Sequence, residues 1–145
     1  MNVGRARAGE LDEVLELLGE SALPGAGVED HFGGFLVARD GDGRVVGCIG
    51  MEKYGDAGLL RSLAVRADER RTGVGRCLVE RLLEEARVSK IRSMFLLTTT
   101  AEWYFSRFGF QPIGRDEADP RLGASQELRG ACPDSAVLMH LRLDP

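Results

Sequence analysis

Between residues 70 and 76 the chain reads Arg-Arg-Thr-Gly-Val-Gly-Arg, three cations and two glycines set directly before the strongest helical periodicity in the sequence. A helix start exposes unpaired backbone N–H groups with partial positive charge, glycine lets a ligand approach the backbone, and arginine adds charge-assisted hydrogen bonds. That combination suits a phosphate. The alternative is a glycine-containing loop with solvated arginines. The pattern is not a dinucleotide-binding Gly-x-Gly-x-x-Gly, because Leu78 stands where the third glycine belongs, and not a P-loop, because Gly-Lys-Ser/Thr is absent. The loop sits inside a basic island: Arg61 to Arg92 holds nine Lys/Arg and five Asp/Glu, in a chain whose net charge is −4. Such an island fits a small polyanionic ligand better than nucleic acid, whose binding domains are usually basic throughout. Arg61 and Ser62 fall in a predicted strand, where a charge is costly to bury unless paired. Arg61 is read either as a grip on a substrate carboxylate or as half of an ion pair with Glu52 or another acid.

The elements that must hold this loop follow from periodicity. A short strand is expected around Val3 to Ala8, then an acidic helix with Leu11, Val14, Leu15 and Leu18 at helical spacing, ending near Gly19. Residues 21 to 34 have loop composition, with room for a short helix around Glu29 to Phe32. Two apolar runs, Phe35–Ala38 and Val45–Met51, flank Asp-Gly-Asp-Gly, a strong hairpin signal. Tyr54–Gly58 is a second turn, and Leu59–Val65 completes a three-stranded meander. Val74, Leu78, Leu82 and Ala86 then mark an amphipathic helix. Ser93–Thr100 reads as a buried strand with a polar end, Ala101–Phe108 as a helix stopped by Gly109, and Phe110–Gly114 and Ala136–Leu143 as further strands. Strand, helix, strand implies one parallel pair inside an otherwise antiparallel sheet. His140, on the last strand, is read as structural.

A chain of 145 residues is expected to form one domain, 1–145. No apolar run approaches the roughly 20 residues that span a bilayer, and the first residues lack the apolar middle of a secretory signal, so the expectation is a cytoplasmic protein with no membrane or nucleic-acid partner. Cys48, Cys77 and Cys132 are odd in number and far apart, which suggests free thiols and no metal site. Glycine is abundant, 19 residues, of which 13 precede residue 60. Most of these, Gly41, Gly43, Gly55 and Gly58 among them, are assigned to turns; only Gly73 and Gly75 carry the ligand reading.

Two ordered motifs now support a family resemblance. Arg70, Gly73 and Gly75 match the Arg/Gln-x-x-Gly-x-Gly/Ala acyl-CoA-binding motif of the GCN5-related N-acetyltransferases (GNAT), with Ser62–Val65 as the preceding strand. About 30 residues on, Ala101-Glu102-Trp103-Tyr104-Phe105-Ser106-Arg107-Phe108-Gly109-Phe110 is similar to the family's Ala-x-x-Phe/Leu-Tyr-x-x-x-Gly-Phe block. Leu60–Val65, Leu97–Thr100 and Cys132–Val137 further resemble the branch found in arsenic-resistance operons, related to N-acetylglutamate synthase domains.

The resemblance implies an α/β (α+β) fold, with a mixed, mostly antiparallel sheet flanked by helices, and acetyl-CoA as co-substrate. Leu63, Ala64 and Val65 would pair through their backbone with the pantetheine arm, and the amides of Arg71, Thr72, Gly73, Val74, Gly75 and Arg76, with Arg70, would hold the pyrophosphate. The chemistry implied is direct attack of a neutral amine on the thioester, which needs a base and a proton donor for the thiolate. Glu52 is the candidate base, against a solvent-facing strand-end carboxylate. The family's frequent tyrosine acid is Phe105 here; Tyr104 lies about 100° around the helix, and is read as acid or as packing, with water or the hydroxyls of Thr98, Thr99 or Thr100 as the other donors. His31, Ser62, Thr98 and Thr99 join Arg61 as candidate acceptor contacts. The implied acceptor is a small amino-acid-like amine; alternatives are a polyamine or protein N-terminus, or an acyl-CoA-sensing module without turnover. A homodimer is an expectation of the fold to which no motif here speaks.

Overall fold

The computed structural model describes residues 1–143; Asp144 and Pro145, the end of the expected domain span, lie outside the described residues. The elements run β1 (Asn2–Arg5), α1 (Leu11–Glu20), β2 (Phe35–Arg39), β3 (Val45–Tyr54), β4 (Ala57–Val65), α2 (Val74–Val88), β5 (Ser93–Thr98), α3 (Glu102–Ser106), β6 (Gln111–Ile113) and β7 (Val137–Arg142). All seven strands join one sheet in the order β1-β2-β3-β4-β5-β7-β6, and the β4–β5 pair is parallel while every other pair is antiparallel.

Alternation along the strands supplies two apolar faces. On β2, Leu36 and Ala38 pack toward α2 with Leu78, Leu82 and Ala86, while Phe35 and Val37 pack toward α1 with Val14, Leu17 and Leu18. The helical stripe of α1 is shifted from expectation: Leu17 is buried and Leu15 is 37% exposed. The third cluster, Ala57, Leu59, Phe95, Leu122 and Leu138, is closed by the single-turn segments that follow β6. Residues 115–133, which link β6 to β7, therefore form a lid over one end of the sheet.

The hairpin between β2 and β3 is held by Asp40, whose carboxylate accepts from the backbone N–H groups of Asp42 and Arg44. Tyr54 is the end of β3, three residues past the expected stop, so Glu52 lies inside the strand. Gly58 is not a turn residue: it sits in β4 between the sulfurs of Met51 and Met94, each 3.0 Å from where a Cβ would stand. Near the N-terminus Glu10 and Arg39 form a two-point ion pair, both bonds 2.7 Å, that pins the turn before α1 to β2.

One irregularity shapes the rest. Ser62 has φ +62°, and the β3–β4 register slips between Cys48 and Gly50. This bulge reverses the alternation of β4. Leu60 faces α2 before it, Leu63 and Val65 face α2 after it, and Arg61 is left on the opposite side with Glu52.

Candidate active site

The parallel strands β4 and β5 pair only through Ala57–Leu59 and Ser93–Phe95. Beyond that seam β4 stays bonded to β3 as far as Val65, and β5 to β7 as far as Thr98, but no ladder joins β4 to β5. The strands splay, and a cleft of about 790 Å³ opens between them, within the size range of small-molecule sites. Leu63, Ala64 and Val65 line it. Its backbone edge is that of an unpaired strand, suited to an extended polar ligand.

At the mouth of the cleft the chain turns into α2. Arg71 has φ +68° and Gly73, the residue capping α2, has φ +88°, so both adopt a left-handed conformation of the kind that occurs in anion-binding backbone turns. A Cβ on Gly73 would meet open space, whereas one on Gly75 would stand 3.2 Å from the Tyr104 hydroxyl. Arg70, Arg71, Gly73, Gly75 and Arg76 line the cleft. Thr72 and Val74 do not: the Thr72 hydroxyl donates to the Glu69 carbonyl, and Val74 is buried in the core, so each has only its amide to offer. Arg70 braces the loop by donating to the Val65 carbonyl at 3.1 Å.

The far wall is polar and buried. Glu52 is fully buried, and accepts from Arg61 Nη1 at 2.7 Å and from the Tyr54 hydroxyl. Burial alone would raise its pKa, but hydrogen bonds from Tyr54, Arg61 and Ser125 outweigh that and hold it below the usual carboxylate value. The solvent-facing alternative for Glu52 is thereby corrected, and its side chain does not reach the cleft lining. His31 Nε2 is 3.7 Å from Glu52, on the outer side of this network and also off the cleft. Arg61 donates through Nε to Ser62 Oγ at 2.9 Å, through Nη1 to Glu52, and through Nη2 to the Pro24 carbonyl at 3.1 Å. It is thus an ion-pair residue that also borders the cleft.

Glu127 carries no sequence signal, yet it is among the residues that border the cleft, only 4% exposed, with Oε2 3.5 Å from Arg61 Nε. Burial, reinforced by Glu52 and only partly offset by Arg61, pushes its pKa up to about 7. It comes from the distorted turn Glu127–Ala131, whose closing Gly130 has φ +117°. Cys132, just beyond, also lines the cleft, and burial raises its thiol to about 11. All three cysteines are free.

On the opposite wall Thr98 Oγ1 accepts from the Ala101 N–H at 3.0 Å and so holds the turn that leads into α3, while Thr99 and Thr100 are exposed. Tyr104 lines the cleft beside α2, packed edge-on against Phe105 and Phe108. Phe105 is 6% exposed and belongs to the main core. Desolvation raises the Tyr104 pKa, so its proton is retained at neutral pH. His140 is bonded to Ser93 Oγ at 3.1 Å, away from the cleft.

A splayed parallel pair, a left-handed loop at a helix start and a basic rim thus form one continuous cleft with the shape and charge for an extended anionic ligand. The acetyltransferase (GNAT) domain family matches residues 31–112, more than half of the sequence, and the chain belongs to that family. Among individual relatives it is similar to an amino-acid acetyltransferase of Azotobacter vinelandii, 39% identical over 90 residues, which cover 60% of this chain and 20% of that protein. An amino-acid acetyltransferase of Mycobacterium tuberculosis is 38% identical over 82 residues, covering 54% of this chain and 47% of that one. The chain thus spans less than half the length of these curated relatives. Among solved structures, N-acetylglutamate synthase from Neisseria gonorrhoeae complexed with coenzyme A and N-acetyl-glutamate superposes with TM-score 0.84 at 23% identity, over 99% of this chain and 35% of that one. Rv2747 from Mycobacterium tuberculosis, in complex with CoA and NLQ, superposes with TM-score 0.81 at 24% identity, over 99% and 100% of the two chains. At these identities the superpositions establish a shared fold.

Proposed function

We propose that this chain transfers the acetyl group of acetyl-CoA to the primary amine of a small amino-acid-like acceptor by direct attack. The observation that carries the reading is the unpaired wedge between β4 and β5, leading to the left-handed loop at the start of α2. The residues present fit that ligand: the open space over Gly73 leaves room for a phosphate, the amides of Arg71 to Arg76 at the start of α2 are there to be offered to it, and Leu63 to Val65 form a strand edge that β5 leaves unpaired. Bound there, acetyl-CoA supplies the acyl carbon. Tyr104 stands ready as proton donor on the α2 side, and the hydroxyls of Thr99 and Thr100 border the same cleft. Ser62 and Arg61 border the cleft, and the positive charge of Arg61 favours an acceptor that carries a carboxylate while its contacts with Glu52 and Glu127 stay in place. Glu52 and His31, off the cleft, act on the acceptor through Arg61 and the intervening polar network. The amino-acid class is supported by the names of the curated relatives.

Phe105 at the usual tyrosine position favours a second reading, a CoA-binding module without turnover. Thiol release from acetyl-CoA, measured with free amino acids, an arsenic-bearing amino acid, polyamines and a peptide N-terminus, separates them. Amino-acid-dependent release is expected; CoA binding with no acceptor-dependent release would sink the enzymatic reading, and release only with polyamines or peptides would reassign the acceptor.

A further inference from the structure

We infer that Glu127 is the group that takes the proton from the acceptor ammonium, with Arg61 as the residue that positions it. The inference rests on the transferase reading above and concerns a side chain that the motif-bearing segments do not contain. Of the carboxylates near the cleft, Glu127 combines burial with a place on the wall; Glu52 has the burial without the access, and Glu69 borders the cleft but is only half-buried, beside the Arg70–Arg76 loop. Every polar neighbour has a definite role. Ser125 Oγ accepts from the Glu127 backbone N–H at 3.2 Å, fixing the turn. Arg61 from β4 lies 3.5 Å away, while Glu52 from β3, capped by Tyr54, takes the short bond to Arg61. Cys132, from the same turn, presents a thiol that stays protonated at neutral pH. Two carboxylates thus share one guanidinium, and Glu127 is the one held loosely. Its pKa of about 7 matches a base that must be ionised before, and protonated after, one transfer.

The acceptor arrives as R–NH3⁺ and gives one proton to the Glu127 carboxylate. The nitrogen lone pair forms the C–N bond to the acetyl carbon as the C–S bond breaks, and sulfur keeps that electron pair. The second surplus proton on nitrogen passes to sulfur, giving amide and thiol, and Glu127 then returns its proton to solvent.

Two measurements test this. In ¹³C-glutamate-labelled protein, the Glu127 carboxyl, assigned by its absence in Glu127→Gln, is expected to titrate near neutrality without any ligand. With the best acceptor of the panel, Glu127→Gln is expected to lower kcat about 100-fold or more, to abolish the acidic limb of the pH profile, and to leave CoA affinity unchanged. Titration in the ordinary carboxylate range, or wild-type kcat with an unchanged acidic limb in the variant, overturns the assignment. Should no amine be turned over, the transferase reading fails by itself, and the titration still decides whether Glu127 is the poised group.

Discussion

Arg61 carries a positive charge on a wholly buried side chain, and its cost is met by Glu52 at 2.7 Å together with three further oxygen contacts. Removing one partner of such a pair leaves the other charge stranded. Glu52→Ala is expected to lower folding stability by about 3–5 kcal/mol, read from the urea midpoint, with Glu52→Gln less damaging because the amide oxygen still accepts. Glu127 acts in the opposite sense. Its folded pKa near 7 lies above the 4.5 of an unperturbed glutamate, so between these values the folded chain holds a proton that the unfolded chain has lost. Stability contributed by this group is present below about pH 4.5 and falls as pH rises through 7. Glu127→Gln should therefore raise Tm relative to the parent protein at pH 8, with the advantage shrinking toward pH 4; a pH-independent difference would contradict this. At this scale the sequence was legible where the pattern is local: Arg70, Gly73 and Gly75, singled out by type and spacing, share one loop at the edge of the cleft. The Arg61–Glu52 pair was one of two readings. Glu127 was invisible, because nothing in Ser-Gln-Glu-Leu-Arg-Gly distinguishes a buried carboxylate from a solvated one until the lid is folded over the sheet.

Among the elements, the loop before α2 stores conformational strain where a ligand is expected. Arg71 and Gly73 both have positive φ, a conformation that costs a side-chain-bearing residue about 1–2 kcal/mol. Gly73→Ala is expected to weaken CoA binding by tenfold or so, the equivalent of roughly 1.4 kcal/mol, while circular dichroism stays unchanged; calorimetric titration of CoA measures it. Equal affinity in the variant would show that the left-handed cap is dispensable. Periodicity located α2 and the β2–β3 hairpin because apolar spacing in each is uninterrupted. It misjudged α1, where Leu15 fits the helical stripe but Leu17 is the residue turned to the sheet. The bulge at Ser62 left no trace either, since a one-residue slip is decided by pairing across β3 and β4 rather than by the identity of Ser62.

Across the whole molecule, the strand order was legible only in part. The meander and the parallel pair follow from turn signals and the intervening helix, whereas the exchange that puts β7 between β5 and β6 depends on long-range pairing. The two apolar faces were foreshadowed by alternation, but the lid formed by residues 115–133 was not, because short turns bury Leu122 without any periodic pattern.

The seam between β4 and β5 has a mechanical consequence. Among the described residues, the backbone ladder that joins a four-stranded half-sheet, β1 to β4, to a three-stranded one, β5 to β7, has three residue pairs. A ligand bonded to both arms would act as a splint across a hinge. Saturating CoA is therefore expected to slow amide hydrogen exchange at Leu60–Val65 and Leu96–Thr98 beyond the general gain that binding confers, which is about 2.7 kcal/mol at a hundredfold excess over Kd. Protection confined to the loop at α2, with both arms unaffected, would mean that the halves are held rigid by α2 and the lid alone.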